Sequence, residues 1–184
     1  MPLPRTLALR PHPTTPCPAL DSVAASVEAS ADGGLALRYR ILGDAGRLRL
    51  PAPCPPGPAD GLWQHTCCEA FIADAGGEAY REFNFAPSGQ WAVFDFTAYR
   101  QRNADFRPAA APCIVLAPQA DGFALDAFLP AALLPAAARL VLGLTAVIET
   151  TDGARHYWAL DHAAPQPDFH LRQSFALALN RNAP

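Results

Sequence analysis

From Leu62 to Arg100 the chain reads LWQHTCCEAFIADAGGEAYREFNFAPSGQWAVFDFTAYR, with apolar residues recurring at every second position. Successive side chains of an extended strand point to opposite faces, so this alternation specifies sheet. The stretch carries two of the three tryptophans and seven other aromatics. It divides into three consecutive strands that form the middle of an antiparallel sheet. In the first, Trp63, His65, Cys67, Glu69 and Phe71 share a face, and Leu62, Thr66, Cys68, Ala70 and Ile72 share the other. Asp74-Ala75-Gly76-Gly77 turns the chain. AYREFNF and QWAVFDF then flank Ala86-Pro87-Ser88-Gly89, which suits a four-residue hairpin loop with glycine in the left-handed position. That register sets Phe83 opposite Ala92 and Arg81 opposite Phe94. Phe83, Phe85, Phe94 and Phe96 then form one side, and Tyr80, Glu82, Asn84, Trp91, Val93 and Asp95 the other. One side is core; the other is aromatic and rich in hydrogen-bonding groups.

The rest of the chain repeats the pattern. Residues 3–9 read as a first edge strand. Residues 22–29 fit helix or strand, and the surrounding sheet pattern favours strand. Leu35, Leu37, Tyr39 and Ile41 alternate with polar neighbours, and Gly43-Asp44-Ala45-Gly46 reads as a turn that returns the chain to pair Ile41 with Leu48. This pairing places Arg40 opposite Arg49, a repulsive pair that acidic neighbours, an anion or strand twist would relieve. PAPCPPGPADG is a crossing loop. CIVLAP and GFALDAFL form a hairpin across Gln119–Gly122. Residues 129–138 hold one short helical turn between prolines. Leu140, Leu142, Leu144, Ala146 and Ile148 line one face of a long strand, and Asp152-Gly153 closes a hairpin that pairs Val147 with Trp158 and Glu149 with His156. About ten strands at regular spacing specify an all-β fold, an antiparallel β-sandwich of jelly-roll or immunoglobulin-like type, in a single domain over residues 1–184.

Charge and composition narrow the function classes. A net charge of −3 disfavours a nucleic-acid backbone as partner. No apolar window reaches the ~20 residues of a membrane helix, and the N-terminus lacks the apolar core of an export signal. A cytoplasmic location is therefore expected, with the five cysteines (17, 54, 67, 68 and 113) as reduced thiols.

Glu69-x-Phe71, followed by Tyr80-x-x-Phe83-Asn84-Phe85 and Pro87-x-Gly89, resembles the central pattern of the DOMON-like and family 9 carbohydrate-binding-module superfamily. The fuller string, continuing through YWALDH and PDFH, is similar to a bacterial branch of DOMON-like proteins and covers roughly residues 60–177. The resemblance implies a β-sandwich that binds sugars or haem in a pocket on one sheet. A non-catalytic small-ligand module follows, with a saccharide as the expected ligand. A haem-binding redox module and a ligand-free interaction domain are the alternatives.

The candidate ligand-binding residues are Trp63, Trp91 and Trp158 for stacking on a sugar ring, and His65, Glu69, Glu82 and Asn84 for fixing its hydroxyls. Tryptophans in such folds also serve as core. Glu69 in an apolar strand needs a partner, either a ligand or an arginine such as Arg81. Asp168 and His170 join the candidates from the loop 161–170, whose other reading is an ordered lid with Asp168 bonded to backbone N–H groups. No cofactor is expected. In the haem branch of the superfamily ligation resembles a Met/His pair; the only methionine here is Met1, so haem would need two histidines, such as His65 and His170, or a different ligand set. No metal is expected: His156, His162 and His170, or His65 with Cys67 and Cys68, lack metal-site spacing, and adjacent strand cysteines point to opposite faces. A Cys67–His65 nucleophile pair lacks an accompanying oxyanion loop.

Overall fold

A computed structural model describes residues 6–181. Among the described residues thirteen strands follow one another: β1 (Leu7–Pro11), β2 (Leu20–Ala29), β3 (Leu35–Gly43), β4 (Gly57–Pro58), β5 (Cys67–Asp74), β6 (Tyr80–Phe85), β7 (Gln90–Ala98), β8 (Gln101–Arg102), β9 (Cys113–Gln119), β10 (Gly122–Leu129), β11 (Arg139–Glu149), β12 (Arg155–Ala159) and β13 (Leu177–Asn180). The helical segments among the described residues are short 3₁₀ turns, one of them Ala131–Leu133 within the expected 129–138 stretch. The all-β expectation holds.

The strands join in one continuous curled sheet, in the order β4-β7-β6-β5-β11-β12-β1-β2-β3-β10-β9, with β13 beside β11 and β8 beside β7. Pairing is antiparallel except between β4 and β7. The sheet curls at β1, whose first half pairs with β2 and whose last residues pair with β12. This corrects the edge-strand expectation for residues 3–9: β1 is central, and residues 3–5 lie outside the described residues. The two arms enclose a common core of Leu35, Leu37, Tyr39, Ile41, Phe123 and Leu125 from one arm and Ile72, Phe83, Phe85 and the even-numbered β11 residues from the other. Buried Tyr39 donates its hydroxyl to the Glu69 carbonyl oxygen at 2.6 Å, tying the arms together.

Residues 35–50 do not form the expected hairpin. Both edges of β3 are occupied, by β2 and β10, so no edge remains for Arg47–Leu50. The chain instead leaves through a 3₁₀ turn capped by Asp44, and Leu48 bridges to Thr150. Arg40 therefore never meets Arg49, which donates to Glu149 at 3.1 Å.

Two hairpins differ from expectation by a single residue. At residues 86–90, the Ala86 N–H donates to the Gln90 carbonyl, leaving a three-residue loop with Gly89 at φ 91°. Phe83 consequently opposes Val93, and Phe85 opposes Trp91. At residues 150–154, the Thr150 N–H donates to Ala154, with Gly153 at φ 85°. There Val147 opposes Tyr157, and Ala146 opposes Trp158. Both are loops in which a left-handed glycine ends the turn. Nothing lies within 4 Å of a Cβ built on Gly153. Gly153→Ala is thus expected to cost about 1–2 kcal/mol from the left-handed backbone alone, read as a lower urea midpoint, with Gly153→Asn recovering part of it.

Because side chains alternate, these one-residue slips reverse the face of every residue on the second strand relative to the first. Trp91 and Trp158 move to the core side, and Phe94, Phe96 and Tyr157 move to the opposite face.

Candidate functional site

The face of β5–β6–β7–β11–β12 turned away from the core carries a second apolar cluster, including Phe71, Tyr80, Phe94, Phe96, Val147, Phe169 and Phe175. Above it lies an open pocket of about 440 Å³, within the usual range for small-ligand sites. Parity explains its floor: Glu69 and Phe71 on β5, Glu82 on β6, Phe94 and Phe96 on β7, Val147 on β11 and Tyr157 on β12 all point outward. The rim comes from elsewhere in the chain: Trp63 and Gln64 from a 3₁₀ turn, Arg100 and Arg102 from the β7–β8 hairpin, and Pro167 to His170 from the loop before β13.

Trp63 is 38% exposed and packs edge-on against Phe94, with ring centroids 5.7 Å apart. Its indole is supported yet available. Trp91 and Trp158, at 9% and 5% exposure, are core residues and do not line the pocket, which corrects two of the stacking candidates. His65 also lies outside the pocket. Its Nδ1 bonds Glu149 Oε2 at 2.8 Å, beside Arg49. The candidate nucleophile Cys67 is fully buried, donates to Asn84 Oδ1 at 3.6 Å, and has a thiol pushed well up by burial.

The pocket floor holds two buried carboxyls. Glu82 accepts from Asn84 Nδ2 at 2.8 Å; buried Asn84 does not line the pocket and supports Glu82 from beside it on the same face of β6. Glu69 Oε2 accepts from Thr145 Oγ1 at 3.3 Å, while Glu69 Oε1 has no partner in the structure. Arg81, the candidate partner of Glu69, instead pairs with Asp95 at 3.0 Å and caps the Leu133 carbonyl. Burial, then the neighbouring charge of Glu82, raises the Glu69 carboxyl well above its ordinary range. Glu82 is raised by its own burial, against the lowering effects of Asn84, Arg100 and Arg102. An unpaired buried carboxyl oxygen costs free energy, so a polar partner that reaches this atom is favoured.

The rim is tied by a chain of bonds. Arg100 adopts φ 54° and donates its backbone N–H to the Tyr80 hydroxyl at 3.1 Å. The Tyr80 hydroxyl in turn lies 2.8 Å from His170 Nδ1. When that hydroxyl donates its proton to Nδ1, the N–H of the neutral His170 lies at Nε2, the nitrogen that approaches Glu82. Burial, followed by the Arg100 charge, lowers His170 to about 4. The imidazole is therefore neutral near pH 7, and its 3.7 Å approach to Glu82 is a long polar contact, not an ion pair. Asp168 accepts from Tyr99 at 2.6 Å, from Arg100 at 3.0 Å and from the His170 N–H at 3.0 Å. It orders the loop through backbone and side-chain bonds alike.

Trp63, Glu69, Glu82, Asp168 and His170 thus line one pocket. Sequence reasoning missed Phe94, Phe96 and Tyr157 because of the hairpin slips; glycine at the third loop position was their available signal. Arg100, Arg102 and Arg155 carried no signal, since only the fold brings these turns and strand ends to one rim. The residues do not fit the haem reading: His65 does not line the pocket and is bonded to Glu149, and His170 is committed to Tyr80.

Neither protein-family models nor curated protein sequences match this chain. Solved structures do. One is a provisionally assigned carbohydrate-binding protein from Bacteroides uniformis, with a TM-score of 0.66 at 13% identity over 96% of this chain and 85% of that one. Another is a family 9 carbohydrate-binding module from Caldicellulosiruptor kristjanssonii in complex with glucose, with a TM-score of 0.54 at 9% identity over 86% of this chain and 75% of that one. The chain has a fold like that of family 9 carbohydrate-binding modules.

Proposed function

We propose that this chain is a DOMON-like, sandwich-type module that binds a saccharide in the outward-facing pocket without transforming it. One observation carries the reading: an exposed, edge-supported indole at the pocket mouth stands with the unpartnered oxygen of buried Glu69 on the pocket floor. Aromatic faces receive the apolar C–H side of a sugar ring, and a few convergent polar groups fix its orientation. Trp63 supplies the first, Glu69, Glu82 and His170 the second. The glucose complex of the family 9 neighbour supports the same ligand class. A cytoplasmic setting accords with the free cysteines, two of which are exposed.

Isothermal titration against mono- and disaccharides tests the reading. Trp63→Ala is expected to weaken binding about tenfold or more, as loss of an aromatic anchor does, with an unchanged urea midpoint because the side chain stands outside the core. If no sugar binds the wild type, or if Trp63→Ala merely unfolds the protein, the proposal fails.

A further inference from the structure

The pocket rim is more cationic than a neutral sugar requires. Three arginines line it: Arg100 and Arg102 on the β8 side, and Arg155 on the β12 side. Arg100 is taken up by Asp168 and the Tyr99 hydroxyl. Arg102 has no carboxylate or hydrogen-bond partner among the described residues, and lies flat over Phe94 with its guanidinium carbon 3.9 Å from the ring centre. Arg155, at an outward-facing position of β12, likewise has no carboxylate partner among them; Glu149, opposite it in the ladder, is engaged by Arg49 and His65. The protein as a whole is acidic, with a net charge of −3. Two guanidinium groups without a salt-bridge partner among the described residues therefore flank one pocket.

Resting on the saccharide reading above, we propose that the ligand is an acidic saccharide, whose carboxylate or phosphate is met by the unpaired guanidinium group of Arg102 or of Arg155, at opposite ends of the pocket. A guanidinium binds a planar oxyanion through two parallel N–H bonds, a match that a sugar hydroxyl cannot offer. Arg102, stacked on Phe94, is held in one orientation at the wall where a sugar ring would lie. Burial raises both floor carboxyls, Glu69 well above its ordinary range and Glu82 against the lowering charges of Arg100 and Arg102, which weakens their opposition to an anion. With Glu69 protonated and its Oε2 accepting from Thr145, Oε1 carries the proton and can donate to a hydroxyl of the same ring.

Matched pairs that differ only in charge decide the matter: methyl β-D-glucuronide against methyl β-D-glucoside, methyl α-D-galacturonide against methyl α-D-galactoside, and glucose 6-phosphate against glucose. The wild-type protein is expected to bind at least one acidic member about tenfold more tightly than its neutral partner, the lower end of what a charge-assisted hydrogen bond gives. The pair that shows the preference identifies carboxylate or phosphate as the group bound. The preference should shrink with added salt and fall to about one in the Arg102→Gln/Arg155→Gln double variant. Both side chains are exposed, so circular dichroism should show the variant folded. Equal binding of acidic and neutral members overturns the acidic ligand while leaving the saccharide reading intact. Binding of neither overturns both.

Discussion

Trp91→Ala is expected to lower the unfolding free energy by about 3–5 kcal/mol, and Trp158→Ala by a similar amount, the range for emptying a core of a large aromatic. Both indoles sit inside the curled sheet, Trp91 opposite Phe85 and Trp158 opposite Ala146. Neither lines the pocket, so at a temperature where each variant stays folded, sugar affinity should stay within a few fold of wild type. Trp158→Phe should cost much less than Trp158→Ala, because its indole N–H has no partner to lose. Urea denaturation followed by titration of the folded variants checks both halves. A Trp91→Ala protein of normal stability that has lost its ligand would mean that the hairpin carries the four-residue loop and that Trp91 faces outward.

Glu69→Gln is expected to raise stability near neutral pH, by about 1 kcal/mol or more, because it removes a group that must hold its proton when buried. The sign follows from burial. In the unfolded chain the carboxyl releases its proton near the ordinary glutamate value of 4.5, whereas in the fold its pKa lies well above that. Over that window the native state holds a proton that the unfolded state has lost, so stability falls as pH rises. Glutamine removes the titration and flattens the slope, and the advantage of the variant should vanish at pH values below 4. The gain in Glu69→Gln/Glu82→Gln should be less than additive, since each carboxyl raises the cost of ionising the other. Wild-type and variant urea curves from pH 4 to pH 8 provide the test; a variant that is less stable at pH 7 refutes the argument. Sugar affinity should drop in the same variant, a stability cost retained for function.

The hairpins show how close the sequence comes to the site and where it stops. Pro87 and Gly89 announce a turn, and Asp152-Gly153 another, each in the right place. The length of each loop was the open quantity, and one residue decides which aromatics face the pocket. Buried patterning alone could not arbitrate, because both faces of β6 and β7 are apolar: Phe83, Phe85, Trp91 and Val93 on one, Tyr80, Phe94 and Phe96 on the other. The long strand β11 was legible since its even positions are uniformly Leu, Ala or Ile, and all are buried. The 43–50 segment misled for another reason. Local alternation proposed a hairpin whose edge was already filled by β10, some 80 residues later in the chain.

Alternation with period two by itself determined that the chain is all-β, where most of its strands run, and that Glu69, Glu82 and Trp63 are unusual in their surroundings. The tertiary structure decided which face each aromatic joins, which carboxyl oxygen is left without a partner, and that arginines from two distant segments stand over one floor. The physical reason is the same throughout. A strand fixes side-chain parity only relative to its neighbour, so a single left-handed glycine sets the face, and rim contacts between remote segments exist only once the sheet has curled.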